Sequence, residues 1–234
     1  MKFSQKLLKG TLLRRYKRFL ADVELENGEL VTAHTANTGS MQGCCEPGSP
    51  VWLSQSDNPK RKYPLSWEIV GVNRTTLVGI NTGLPNQLVG EAIENGVIEE
   101  LQGYANMRKE VRYGEENSRI DILLEDEEKG LCYIEVKNVT LVKNGHAFFP
   151  DAVSSRGAKH LRELIAMKKA GHRSVIFFCV QREDADDVAP ADQIDPLYGE
   201  TLREAIGNEV EALAYRATVS PEEISLQTKL AVIS

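Results

Sequence analysis

The sequence predicts an α+β chain in which a small β-barrel precedes a helix-and-sheet unit. Three observations carry that expectation. Residues 7–80 hold short apolar stretches broken by turn chemistry and show no helical period. The pattern changes at Pro85, after which apolar residues recur at three- and four-residue steps. Further on, strand-like and helix-like stretches follow in the order helix, three strands, helix, strand. The boundary falls at 81–85 and divides the chain into 1–82 and 83–234. A length of 234 residues with 41% hydrophobic content is enough for two packed cores.

In the first unit, strands are expected at 12–16, 19–25, 30–35, 50–53, 65–72 and 76–80. Asn27-Gly28 is a hairpin signal, and Pro47-Gly48 and Asn58-Pro59 mark further turns. Strands at this spacing suit a barrel of oligonucleotide-binding (OB) type. In the second unit the apolar steps predict a helix over 86–101, interrupted by Gly96. Strands at 111–113, 119–124 and 131–139 follow. A helix over 155–169 comes next, with Ser154 or Ser155 as its cap and Gly171 as its stop. The unbroken apolar run at 174–180 reads as a buried central strand. A helix at 196–206 and a strand at 211–219 complete the expectation.

No run approaches the roughly 18 apolar residues of a membrane span, and the first ten residues are too weakly apolar for a secretory signal. A soluble, cytoplasmic protein with no membrane partner is expected. Cys44, Cys45, Cys132 and Cys179 form no C-x-x-C pair. Cys132 and Cys179 read as buried strand thiols and Cys44-Cys45 as small turn residues. The net charge of -6 excludes a uniformly basic nucleic-acid binder. Charge is nevertheless uneven: residues 1–20 carry seven Lys or Arg and no acid, and Lys60-Arg61-Lys62 adjoins Tyr63. Local potential steers a polyanion more than net charge does, because salt screens beyond about 8–10 Å.

Chemistry gathers in two adjacent strands. Alternation places Ile120, Ile122 and Leu124 on one face and Asp121 on the other. It likewise sets Glu135 and Lys137 opposite to Ile134 and Val136. A turn centred on Glu128 puts Asp121 directly across from Glu135, at the roughly 5 Å Cβ spacing where like charges destabilise. A divalent cation would offset that repulsion, and hard oxygen ligands suit Mg2+ or Mn2+. Lys137 could orient a water or neutralise charge on a phosphoryl group. The plainer alternative pairs Arg119 and Lys137 with these acids on a solvated sheet face.

Arg119-Ile120-Asp121 followed by Ile134-Glu135-Val136-Lys137 resembles the PD-(D/E)xK nuclease superfamily, whose core is αβββαβ. The resemblance implies metal binding by Asp121 and Glu135 and a catalytic lysine at Lys137. It also implies an acid from the first helix, with Glu91 the first candidate and Glu94 the second. A polar residue from the second helix often assists such sites, which points to Lys159 first and His160 next. Longer segments are similar to the sugar fermentation stimulation protein A family. They are Asn37-Thr38-Gly39-Ser40-Met41, Arg61-Lys62, Phe149-Pro150-Asp151-Ala152-Val153, Arg156-Gly157-Ala158-Lys159-His160-Leu161 and 189–196. That resemblance implies an OB barrel, a nuclease-like domain, DNA binding with little sequence preference, and a link to sugar (maltose) utilisation.

Nucleic-acid contacts are expected from Arg14, Arg15, Lys17 and Arg18, from Lys60, Arg61 and Lys62, and from Arg156 and His160 at the start of the second long helix. Trp52, Tyr63 and Trp67 are either stacking platforms or core aromatics. Two functions are carried forward: a Mg2+-dependent phosphodiesterase acting on DNA, and a DNA-binding regulator that cuts nothing. RNA or a small nucleotide stands behind DNA as substrate.

Overall fold

A computed structural model describes residues 1–114 and 118–234. Its first six strands are β1 (Leu8–Tyr16), β2 (Leu20–Leu25), β3 (Leu30–His34), β4 (Pro50–Gln55), β5 (Leu65–Val72) and β6 (Thr76–Gly79). The strand order is β3-β2-β1-β4-β5-β6, and a parallel contact between His34 and Ser66 joins β3 to β5. Strands β1 to β5 therefore close into a five-stranded barrel. Asn27-Gly28 turns β2 into β3, with Gly28 at φ +83. The barrel core holds Leu12, Val23, Val51, Leu53 and Trp67. Trp67 is a core aromatic whose indole N–H donates to the Ile69 carbonyl. Trp52 is half-buried against the next unit.

Helix α1 (Pro85–Glu94) opens that unit. The helix expected over 86–101 ends early, because the chain turns through Gly96 at φ +74 into a short 3-10 turn, Glu99–Leu101. Strands β7 (Asn106–Tyr113), β8 (Ser118–Asp126) and β9 (Gly130–Val139) follow, then the short β10 (Leu141–Lys143) and β11 (His146–Phe149). Next come α2 (Ser155–Lys169), β12 (Arg173–Val180), β13 (Asp187–Pro190), α3 (Pro196–Gly207), β14 (Glu211–Val219) and β15 (Ile224–Val232). The nine strands form one sheet in the order β10-β11-β13-β15-β14-β12-β9-β8-β7. Strand β12 runs parallel to both β9 and β14 and is buried on both faces. Its Val175, Phe177 and Cys179 pack on the α1 side, and Ile176, Phe178 and Val180 pack under α2 and α3. Each such side chain contributes about 1.5–3 kcal/mol by leaving water.

The barrel docks on the α1 side of the sheet, where its Leu7 and Ile69 join the same cluster. The Gly79 amide donates to the Gln181 carbonyl across this junction at 2.9 Å. A Cβ on Gly79 would meet Gln181 Oε1 at 2.6 Å, so a larger residue here requires that side chain to move.

One expectation fails in β8. Ile122 and Leu124 do pack on the α1 side, but Ile120 packs with α2 and α3. Strict alternation breaks at Asp121, where the β7–β8 ladder passes from Lys109↔Ile122 to Val111↔Ile120. The residue between on β7, Glu110, has φ +56.

Candidate active site

The β8–β9 register pairs Ile122 with Ile134 and Leu124 with Cys132, which sets Asp121 across from Glu135. Asp121 does not stand on the sheet face as a simple strand residue. Its Oδ2 accepts the Val136 amide at 2.7 Å and its Oδ1 accepts Asn86 Nδ2 at 2.9 Å. Asn86 sits in the first turn of α1, directly after Pro85, so the helix start aims it at the strand.

Glu135 is buried at 2% exposure and Lys137 at 8%. Lys137 Nζ donates to Glu135 Oε1 at 2.7 Å. His160 Nδ1, from α2, also contacts that oxygen and lies 3.2 Å from Lys137 Nζ. Arg156 Nε donates to His160 Nε2 at 3.2 Å. A ring nitrogen that accepts carries no proton, so Nδ1 bears it and donates to Glu135. Two donors thus converge on Oε1. Among the described residues, Oε2 has no partner although it is buried.

The two carboxyls are pushed apart. Burial, then the neighbouring Glu135 charge, raises Asp121 to about 6 against the bonds from Val136 and Asn86. Burial also works to raise Glu135. The His160 hydrogen bond and the Lys137 charge outweigh it and hold that carboxyl below its ordinary range. Divergent carboxyls of this kind are a recurring feature of active sites. Tyr113 and Tyr198 are raised chiefly by burial and then by the Glu135 charge, and both hydroxyls are buried without a partner among the described residues.

Lys137, and not Asp121 or Glu135, lines a cleft of about 280 Å³ between barrel and sheet, with Asn138 beside it and Thr38 and Gly39 on the other side. Asp151 ties the two together. Its Oδ2 accepts Ser40 Oγ at 3.0 Å and the Met41 amide at 3.1 Å. A Cβ on Gly39 would meet that carboxylate at 2.9 Å. Two segments quoted above for their family likeness, 37–41 and 149–153, thus meet here.

Other expected residues are placed as follows. Glu91 lies 2.8 Å from the Met1 amine and accepts Gln87 Nε2 at 2.8 Å. Five residues after Asn86, it is about 140° further round the helix and faces elsewhere. Glu94 is exposed beyond it. On α2 the residue in contact with Glu135 and Lys137 is His160, while Lys159 is half-buried beside it. Arg14 pairs with Asp22 at 2.8 Å and covers the Tyr16 ring. The Arg15 guanidinium is committed to the carbonyls of Arg18, Asn37 and Gly39, and Arg18 Nε to that of Thr38. Lys17, Lys60, Arg61 and Lys62 face solvent, with Lys62 over the Tyr63 ring. Asn86, Glu110, Tyr113, Tyr198 and Asp151 were not foreseen as site residues. For Glu110 the signal existed in principle, since the strand expected at 111–113, read one residue longer, includes it.

Residues 83–223 match the family model for the sugar fermentation stimulation protein RE domain, and residues 13–80 match that for the SfsA N-terminal OB domain. The chain is 60% identical over 233 residues to a sugar fermentation stimulation protein homolog of Geobacter metallireducens, covering 100% of both chains. A Shewanella homolog of the same description is 55% identical, with 97% of each chain covered. Among solved structures, Pyrococcus furiosus SfsA in complex with Ca2+ superposes with a TM-score of 0.90 at 28% identity. That match covers 100% of this chain and 98% of the other. No described helix is long and apolar enough to cross a membrane.

Proposed function

The chain belongs to the sugar fermentation stimulation protein family, and from that premise we propose that it is a DNA-binding protein of low sequence preference with a divalent-metal phosphodiesterase site at Asp121, Glu135 and Lys137. One observation carries the reading: a buried carboxylate oxygen, Glu135 Oε2, has no hydrogen-bond partner among the described residues, and Glu135 stands across from a second acid. Leaving such an oxygen unpaired is costly, and a cation removes the cost. The donor set is hard oxygen, which fits Mg2+ or Mn2+. The Ca2+ complex of the Pyrococcus relative supports a divalent ion of this kind. A cation held by Asp121 and Glu135 would supply charge to phosphate oxygens and acidify a bound water.

The protein's own groups have distinct tasks. Lys137 brings a positive charge to the cleft, where a phosphate leaving its ground-state geometry needs one. His160 orients Glu135, and Arg156 holds the His160 tautomer. The solvent-facing cations at Lys17 and Lys60–Lys62 would track a phosphate backbone with the salt dependence such contacts carry. A second reading, a DNA-binding regulator of sugar metabolism without cleavage, draws on Lys137 and His160, which already donate to Glu135 Oε1.

The test is cleavage of single-stranded, duplex and branched DNA with Mg2+ or Mn2+, beside Glu135→Ala and Lys137→Ala. Cleavage by the wild type and not by the variants is expected. Binding without cleavage under every condition would leave the regulator reading.

A further inference from the structure

We propose that Glu110 is the third acidic ligand of this cation site, positioned against Asp121 by Asn86. The inference rests on the metal-site reading above and replaces Glu91 in it. Strand register supplies the first argument. Lys109 pairs with Ile122 and Val111 with Ile120, so Glu110 stands opposite Asp121 on β7. Glu135 stands opposite Asp121 on β9. Three acidic positions therefore stand level across three adjacent strands, a placement that like-charge repulsion disfavours where their side chains approach.

Side-chain geometry supplies the second argument. Asn86 Nδ2 donates to Glu110 Oε1 at 3.2 Å and to Asp121 Oδ1 at 2.9 Å. Oxygens of two different carboxylates are thus within about 6 Å of each other, bridged by one amide group. Rotating that amide by half a turn would present Oδ1 in place of Nδ2, adding a neutral oxygen to the two acids. A cation bonded to these oxygens at about 2.0–2.6 Å would take the place of the Asn86 hydrogen bonds. Among the described residues no group of three or more His, Cys, Asp or Glu side chains is placed to hold a metal ion as they stand. Asn86 and Lys137 occupy the acids' oxygens instead.

The independent pointer to a ligand is Glu135 Oε2, buried and without a partner among the described residues. The backbone of Glu110, at φ +56, fits the same account, since a non-glycine residue adopts that region at a cost. Glu91 has neither property, being held by the Met1 amine and Gln87.

The experiment is Mn2+ binding to the full chain without nucleic acid, read by the loss of the free-ion paramagnetic resonance signal. Glu110→Gln, Asn86→Asp, Asn86→Leu, Glu91→Gln and Asp121→Asn are compared, each checked for a native melting transition. Glu110→Gln and Asn86→Leu are expected to weaken Mn2+ about tenfold or more. Asn86→Asp, which keeps an oxygen there, should bind at least as tightly as the wild type. Glu91→Gln should change affinity less than twofold. Wild-type affinity in Glu110→Gln, with Asp121→Asn defective, overturns this inference and leaves the metal site standing. A wild type that binds no Mn2+ overturns both. Mn2+ binding lost in Glu110→Gln without any DNA cleavage would uphold the ligand and remove only the nuclease.

Discussion

Asp121 and Glu135 differ in which form of the carboxyl the fold favours. Asp121, raised to about 6, adds stability that is complete below its ordinary value of 3.8 and is lost as pH rises through about 6. Glu135, lowered, contributes above the ordinary glutamate value of 4.5, and that contribution is lost as pH falls through its folded value. With a chelator present, Asp121→Asn should therefore be more stable than the wild type at pH 7, by about 1–3 kcal/mol. The gain should close by about pH 4, and urea midpoints at the two pH values would measure it. Equal midpoints at pH 7 would mean that Asp121 bears no such burden. At this scale Asp121, Glu135 and Lys137 were legible because strand alternation and one local turn define them. That His160 of α2 is the residue in contact with Glu135 and Lys137 was harder to read than Lys159 beside it, for a geometric reason. Neighbours on a helix point about 100° apart, and the rotation of α2 about its axis is set by tertiary packing that the sequence pattern does not show.

Helix α2 carries the two side chains that steady Glu135, so its first turn matters out of proportion to its length. Ser154 Oγ accepts the Gly157 amide at 3.0 Å and satisfies one of the helix's unpaired donors. Ser154→Ala should cost about 1 kcal/mol in chemical denaturation. It should also speed hydrogen exchange at Gly157 and Ala158 before the rest of the helix. Ends of this kind are local chemistry, which explains why 155–169 was legible to the residue. Strands β10, β11 and β13 are three or four residues long and lacked enough alternation to read. Strand β15 was also missed, because consecutive exposed positions at 227–229 break its period. Its place is set by pairing with β14 across a register shift.

Across the whole molecule, the basic N-terminal run divides into cations that build the barrel and cations that face outward. The Arg15 guanidinium donates to the carbonyls of Arg18, Asn37, Gly39 and Ser40, whereas Lys17 is exposed. Lys17→Ala should weaken DNA binding similarly for all sequences and lower the salt slope by about 1, with stability unchanged. Arg15→Ala should instead lower the unfolding midpoint, because the carbonyls of loop 37–40 lose their donor. A titration at several salt concentrations beside a melt separates the two, and a full-slope loss with an unchanged melt in Arg15→Ala would reverse the assignment. The Asp151 contact acts at the same scale. Asp151→Ala strands the Met41 amide and should cost about 1–3 kcal/mol by urea titration.

That contact also has a consequence for how the chain is made. Ser40 and Asp151 are separated by 111 positions. A ribosome adding about 5–20 residues per second leaves loop 37–41 without its partner for roughly 5–20 seconds. The barrel emerges first and must wait, with the surface that will meet the sheet still bare, until the later half arrives. The nascent first half is thus the stage at which a chaperone would have something to hold.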